Sequence, residues 1–295
     1  MKLSAIVPVG PNRDIEILES AEKFKKKLRL IIEKGTNPSE NRNRGIKKAK
    51  TEFVAFVNAH TILPDNWIDE IEIFFGEHPE IDIAGGPQLT SKKEKIFVRA
   101  SGYALSSIFG AAEASVRYKI KNLNLKANEK HLTSANLICR RNVFKKIKFD
   151  ENLYPGEDPK FIADAIDSGF KVAYTPKIYV YHKRRTNLKA LIKQIFNYGL
   201  VRPRKEKFSD TLKKPLFLVP SLFVLYLAFL PTFVFVNYIS LFPFFLYLVL
   251  NLFFSFYEGI KNKDFPSIIL LPLLFFFIHI SYGVGFFYGT IEKLK

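Results

Sequence analysis

Short apolar runs alternate with stretches of helical periodicity over the first two thirds of the chain. Long uncharged apolar runs fill the last third. The sharpest short run is Phe53-Val54-Ala55-Phe56-Val57, made of β-branched and aromatic residues around one Ala. A continuous apolar run of that length suits a strand buried on both faces of a parallel sheet. It stops at Asn58-Ala59-His60. In an open α/β sheet, ligands bind just beyond the carboxyl ends of such strands. Asn58 and His60 therefore stand where a ligand would sit, although a turn Asn and a surface His read equally well.

The same alternation extends on both sides. Residues 2–9 read as a first strand, followed by a helix over 15–26 that Asp14 caps. A second strand covers 28–33. Ser39 caps a basic helix over 40–50, which carries Arg42, Arg44, Lys47 and Lys48. After the organising strand comes a helix over 65–77 with Asp65 as its cap. Trp67, Ile68, Ile71 and Phe74 or Phe75 form its inner face, and a short strand follows at 81–86. Strands alternating with helices of this kind predict βαβ units and a mostly parallel sheet. Residues 92–125 read as helix and loop, and 134–140 as a strand. Pro159 sits in the first turn of a helix that ends near Gly169. A long or bent strand over 171–181 reaches His182.

Beyond His182 the pattern changes character. Residues 186–198 form an amphipathic helical pattern, with Leu188, Leu191, Ile192, Ile195 and Phe196 on one side. Arg202, Arg204, Lys205 and Lys207 follow, which suits a helix lying at a membrane surface. Residues 215–236, 238–257 and 266–288 are three uncharged apolar runs, each long enough to cross about 30 Å of hydrocarbon. Lys213, Lys214, Lys261 and Lys263 flank them on one side, which the positive-inside rule makes cytoplasmic. The domains expected are a catalytic one at 1–185, an interfacial helix and basic linker at 186–212, and a multi-pass membrane region at 213–295. His279, in the third run, reads as a contact between helices.

Composition narrows the function. The net charge of +17 among 295 residues admits nucleic acid, anionic lipid or phosphorylated substrates as partners. Three spans argue against nucleic acid. A single cysteine, Cys139, rules out an intrachain disulfide and fits a reducing compartment. The first nine residues are too short for a cleavable signal peptide and lead into a polar helix.

The candidate chemistry is that of a phosphate-bearing donor meeting a hydroxyl. His60 is a metal-ligand candidate, which would neutralise charge developing on a diphosphate leaving group. His182 ends a strand and is placed to approach the same ion. Glu33, closing the second strand, is placed to accept hydrogen bonds from a base or ribose. Asp158 and its neighbour Glu157, at a helix N-terminus, are the catalytic candidates, with Asp158 as general base and capping that helix as its other role. Arg42 and Arg44 read as part of a solvated helix face.

Four segments then carry a resemblance: Ser4-Ala-Ile-Val-Pro-Val9, Asn41-Arg-Asn-Arg-Gly-Ile46, Thr51 through His60, and Gly156-Glu-Asp158. In this order they resemble family 2 glycosyltransferases of the GT-A fold, over roughly residues 2–200. Asn-Ala-His, Ala84-Gly-Gly-Pro87, Ser107-Ile-Phe-Gly110 and Tyr198-Gly199 are similar to the succinoglycan-biosynthesis type. The resemblance implies a Rossmann-like, mostly parallel α/β sheet followed by membrane helices. It also implies inverting transfer of a hexose from a UDP- or GDP-linked sugar to a polyprenyl-linked or polysaccharide acceptor at the cytoplasmic membrane face.

It further implies that Pro8, Val9 and Glu33 meet the nucleotide, and that Asn58 and His60 occupy the motif that meets ribose and metal. Asn136 falls in the region that faces the donor sugar, and Asp158 matches the catalytic base. The metal would be Mn or Mg, with His182 completing its site. The departures are Asn58 and His60 in place of carboxylates, Glu33 in place of Asp, and a short loop after Glu33. Leaving-group stabilisation by Lys and Arg, or a degenerate and inactive membrane partner, are the alternatives these departures leave open.

Overall fold

The computed structural model describes residues 2–11, 13–205 and 215–294. These divide into two compact units, Met1–Ser91 with Val116–Lys183, and Lys92–Ser115 with Arg184–Lys295.

The first unit is built on a six-stranded sheet. Its strands are β1 (Leu3–Val9), β2 (Leu28–Lys34), β3 (Phe53–Val57), β5 (Ile83–Gly85), β7 (Asn136–Arg140) and β8 (Val172–Tyr174). The order is β2-β1-β3-β7-β5-β8. β7 runs against both its neighbours, and the other five share one direction. All five residues of β3 are buried, as a run without polar alternation requires of a strand covered on both faces. On one face Val7, Ala55 and Val57 meet Trp67, Ile68, Ile71 and Phe75 of α3 (Trp67–Glu77). On the other, Ile6, Val54 and Phe56 meet Phe161, Ile162 and Ala165 of α6 (Glu157–Asp167). A smaller sheet of β4 (Thr61–Ile62), β6 (Gln88–Leu89) and β9 (Val180–His182) has the order β4-β9-β6.

Several helix starts differ from expectation, and each difference has a local cause. α1 is only Ile17–Glu22, and Asp14 lies outside it. α2 spans Pro38–Lys48. Its cap is Asn37, whose side chain accepts from the N–H groups of Ser39 and Glu40, so Ser39 is inside the helix. Asp65 pairs with Lys23 instead of capping α3. The expected strand over 171–181 is broken into β8 and β9, which belong to different sheets.

The second unit gathers α4 (Ile96–Ser106), α5 (Ile108–Ala111), α7 (Leu188–Lys205), α8 (Val219–Val236), α9 (Phe242–Lys261) and α10 (Ser267–Leu294). Segments Val219–Val236, Tyr238–Lys261 and Ser267–Lys293 are long and apolar enough to cross a membrane. Residues 206–214, which include Lys207, Lys213 and Lys214, lie outside the described residues.

α7 packs on α10 rather than standing free at a surface. A Cβ on Gly289 would lie 2.0 Å from the Leu200 carbonyl oxygen, and one on Gly285 2.1 Å from that of Phe196. Two glycines four apart thus let backbone meet backbone. Residues 92–115 pack with these helices through polar ties. Arg99 holds Asp264 with Nε and Nη2 at 2.6 and 3.1 Å, and this pairing keeps the Asp264 carboxyl below its ordinary range. His279 contacts the Phe109 carbonyl through Nε2 at 2.8 Å and the Tyr247 hydroxyl through Nδ1 at 3.0 Å. It is thus a contact between helices.

Replacing Gly289 with Leu puts side-chain atoms where the Leu200 backbone lies. Overpacking of this kind costs about 1–3 kcal/mol or more. The expected result is a clear drop in the melting temperature of the detergent-solubilised chain, with Val284→Leu, an exposed position on the same helix, as the silent control.

Candidate functional site

The topology brings the sequence candidates to one edge of the six-stranded sheet. β1, β2 and β3 are parallel, so Val9, Lys34 and Val57 end there together. β7 is antiparallel and begins there, with Asn136 opposite Val57. α6 leads through a short turn into β8, which runs with β3, so the N-terminal turn of α6 lies at the same edge. α2 begins there as well, just after β2.

At the end of β3 the chain turns, with the N–H of Thr61 bonded to the Asn58 carbonyl at 3.1 Å. It then enters β4, whose Thr61 pairs with His182 of β9. The N–H of Lys183 donates to the His60 carbonyl at 3.2 Å. This pairing sets the His60 and His182 rings 6.2 Å apart between centroids, at 83°. The Asn58 amide nitrogen stands 3.1 Å from His182 Nε2. Residues 122 positions apart in sequence thus form one cluster of two imidazoles and a carboxamide.

These three side chains carry no carboxylate, and among the described residues no three His, Cys, Asp or Glu come together as a metal-binding group. Mg²⁺ seeks near-octahedral oxygen ligands and finds a poor match in them. Two imidazoles are the donors this cluster offers to an ion that accepts nitrogen ligands.

The second cluster joins α2 to the loop before α6. Arg42 is 4% exposed. Its Nη1 lies 2.9 Å from Glu157 Oε1 and 3.7 Å from Asp158 Oδ1. The guanidinium also lies over the Phe149 ring, 5.2 Å from its centroid, and Phe149 stacks on Phe161 at 4.3 Å. Asn43 clamps the Phe149 backbone from both sides, donating to its carbonyl at 2.9 Å and accepting from its N–H at 3.1 Å. Asn37 donates to the Glu151 carbonyl at 2.7 Å. Gly156 has φ 119°, a conformation that favours glycine, where the loop enters α6.

The Glu157 carboxylate is turned inward, and its Oε2 accepts from the Gly156 N–H at 2.9 Å. Burial, then the charge of Asp158, push its pKa up, while Arg42 pulls it down. Glu157 is therefore an internal ion-pair partner of Arg42. The side chain of Asp158 is about a fifth exposed.

Three further expectations take definite positions. Pro8 and Val9 pair with Glu33 and Lys34 at the ends of β1 and β2. Glu33 is buried, and its Oε2 accepts from Arg44 Nε at 3.3 Å while Oε1 lies 2.6 Å from Lys48 Nζ. Asn136, expected to face a donor sugar, is 1% exposed. Its Oδ1 accepts from Trp67 Nε1 at 3.2 Å and its Nδ2 donates to the Ile178 carbonyl at 2.6 Å. An amide engaged at both ends in the interior is a structural tie, and Asn136 drops out of the site. The solvated-face reading also fails for Arg42, because a buried guanidinium needs a buried partner and that partner lies 115 residues away.

Matches with known proteins follow this geometry. Residues 11–148 match the model of Glycosyl transferase family 2. Residues 11–148, a little under half of the chain, are thus similar to family 2 glycosyltransferases. The match and the mostly parallel sheet described above give the GT-A fold.

The chain is 26% identical over 194 residues to a pre-mycofactocin glycosyltransferase of Mycobacterium tuberculosis, covering 65% of this chain and 37% of that protein. It is 28% identical over 147 residues to a dolichyl N-acetyl-alpha-D-glucosaminyl phosphate 3-beta-D-2,3-diacetamido-2,3-dideoxy-beta-D-glucuronosyltransferase of Methanococcus voltae. That match covers 50% of this chain and 43% of that protein. The chain thus spans less than half the length of these curated relatives. Among solved structures, S. aureus TarS 1-349 in complex with UDP-GlcNAc matches with a TM-score of 0.46 and 16% identity. It covers 100% of this chain and 93% of that one.

The Asn43 clamp generates a local prediction. Asn43→Ala leaves the buried N–H and carbonyl of Phe149 without partners, at about 1–3 kcal/mol for each unsatisfied group. Hydrogen exchange should rise selectively over residues 149–158 while exchange in β1 and β3 stays slow.

Proposed function

We propose that the family 2 domain is an inverting transferase that moves a hexose from a UDP- or GDP-linked sugar to a hydroxyl of a polyprenyl-linked or polysaccharide acceptor. The observation that carries this reading is the gathering of the Asn58–His60–His182 cluster and the Arg42–Glu157–Asp158 cluster at one sheet edge. A general base and a cluster suited to a diphosphate are the two parts this chemistry needs.

In the proposed reaction Asp158 accepts the proton of the acceptor hydroxyl. The hydroxyl oxygen attacks the anomeric carbon from the face opposite the leaving group. The bond from that carbon to the diphosphate oxygen breaks, its electron pair departs with the nucleoside diphosphate, and the configuration inverts. Glu33, Pro8 and Val9 are the residues assigned to the nucleotide. For the nucleobase or ribose to meet Glu33, it must share that carboxylate with Arg44 and Lys48. His60 and His182 would hold a divalent ion. When bound, that ion supplies charge neutralisation to the leaving diphosphate.

The membrane assignment rests on the three long apolar helices and on Lys261 and Lys263 between the last two. By the positive-inside rule these lysines favour a cytoplasmic catalytic domain in a multi-pass protein of the cell membrane. The Methanococcus relative carries a dolichyl sugar phosphate in its name, which supports a lipid-linked acceptor. The replacement of a carboxylate by Asn58 favours a second reading, a membrane partner with a non-catalytic domain.

Two experiments separate these readings. Purified chain in detergent is offered UDP-glucose, UDP-N-acetylglucosamine and GDP-mannose, and nucleoside diphosphate release is followed with and without a lipid acceptor. Asp158→Asn should abolish release and leave nucleotide binding by thermal shift nearly unchanged. Full turnover by that variant removes Asp158 as the base, and no turnover by the unaltered chain with any donor favours the second reading. Separately, Mn²⁺ binding in the presence of UDP is measured by electron paramagnetic resonance. His60→Ala and His182→Ala should each weaken it by on the order of tenfold or more, whereas an unchanged affinity in both removes the metal assignment.

A further inference from the structure

Three charges meet at the first turn of α6: the Arg42 guanidinium and the carboxylates of Glu157 and Asp158. The pairing is unequal. Glu157 takes the short contact at 2.9 Å and is buried, while Asp158 stands at 3.7 Å and keeps part of its side chain in the open. Asp158 Oδ1 accepts no hydrogen bond from the described residues. Two neighbouring carboxylates without a cation tend to share one proton, because like charges at close range cannot both ionise cheaply. Other charges stand further out. Lys160 on α6 pairs with Asp164, and Glu151 in the preceding loop is held by Asn43.

We propose that Arg42 is a positioning residue for the base. Its short hydrogen bond is absorbed by Glu157, so Asp158 lies beside the stabilising charge while its Oδ1 accepts no hydrogen bond and about a fifth of its side chain stays exposed toward an acceptor hydroxyl. This rests on the reading of Asp158 as the base. Glu157 is thereby the anchor that ties Arg42 in place. α2 carries both this contact and the Arg44 and Lys48 contacts to Glu33, so it links the proposed nucleotide end of the site to the base.

The direction of each charge change can be worked out. Removing the cation disfavours the ionised base, so the acidic limb of the pH–rate profile must move to higher pH. Removing the neighbouring anion favours the ionised base, so the limb must move to lower pH. A residue that merely staples two elements together would lower activity or stability without moving the limb.

The test uses the full chain in detergent and follows UDP or GDP release from whichever of UDP-glucose, UDP-N-acetylglucosamine or GDP-mannose it turns over. The profile is recorded from about pH 5 to about pH 9. Arg42→Gln should move the acidic limb to higher pH. Glu157→Gln should lower it. Arg42→Lys keeps the charge but loses the fork, so the limb should hold while the plateau kcat falls. Thermal melts accompany each variant.

A folded Arg42→Gln with an unmoved limb, or a Glu157→Gln limb that stays put or rises, overturns the proposal. If Arg42→Gln does not fold, the Glu157→Gln and Arg42→Lys profiles decide it on the same terms. Asp158→Asn separates the two claims. If it is inactive and the limbs do not move, only the role of Arg42 falls. If it is fully active, or the unaltered chain turns over none of the donors, the base assignment falls and the role of Arg42 falls with it.

Discussion

The contact on which the candidate site most depends is the buried ion pair between Arg42 and Glu157. Taking a guanidinium out of water is costly, and an excellent partner geometry is needed to offset it. Once both groups are buried, neither can move without exposing the other to an apolar interior. The pair therefore fixes the distance between α2 and the N-terminal turn of α6. Asn37 and Asn43 repeat the same logic with neutral groups, each satisfying backbone atoms of the loop that leads to Asp158. The opposite face of α2 is bound to the end of β2 through Glu33. One helix of eleven residues thus ties together both halves of this sheet edge, and the Arg42 guanidinium lies over the Phe149 ring, which stacks on Phe161.

Local patterns made much of this architecture legible. Phe53 to Val57 announced a strand buried on both faces, and the inner face of α3 was read correctly from 3.6-residue spacing. The placement of His60 near His182 followed from strand ends. What stayed hidden depended on partners distant in sequence. Arg42 sits among Arg44, Lys47 and Lys48, and nothing local distinguishes it from its solvated neighbours. Only the closure of α6 over the sheet supplies Glu157. Asn136 failed in the opposite sense, because a polar residue at a strand start looks like a ligand contact until Trp67 and Ile178 are seen to occupy it. The helix caps missed by one or two residues because Asn37, Ser39, Asp14 and Asp65 are all acceptable caps in isolation. The chain selects among them by where the preceding strand ends.

The second unit shows a similar division. Composition alone identifies three helices able to cross a membrane. It does not reveal that residues 92–115, lying between β6 and β7 in sequence, pack with them. That choice rests on Arg99 with Asp264 and on His279 with Phe109. His279 lies within a long apolar segment, where a polar group must find a partner. The amphipathic pattern of α7 offered a membrane surface as the natural destination for its apolar face. Gly285 and Gly289 give it a helix neighbour, because a groove without side chains lets backbones approach closely.

Charge balance at the site gives the amide at position 58 a physical consequence. A diphosphate entering a site lined by two carboxylates is repelled, and a bound cation must first reverse that field. Asn58, His60 and His182 present no formal negative charge when the imidazoles are neutral. A diphosphate can approach such a cluster without paying that repulsion. The carboxylates of this edge lie elsewhere and are compensated, Glu33 by Arg44 and Lys48, Glu157 and Asp158 by Arg42. Of these, Asp158 alone combines partial exposure with incomplete pairing. The edge is thus divided into a part without formal negative charge and a part that ends in one partly exposed carboxylate. In the proposed reaction, exchanging the two characters would place a carboxylate against the leaving group and leave the acceptor hydroxyl without a base.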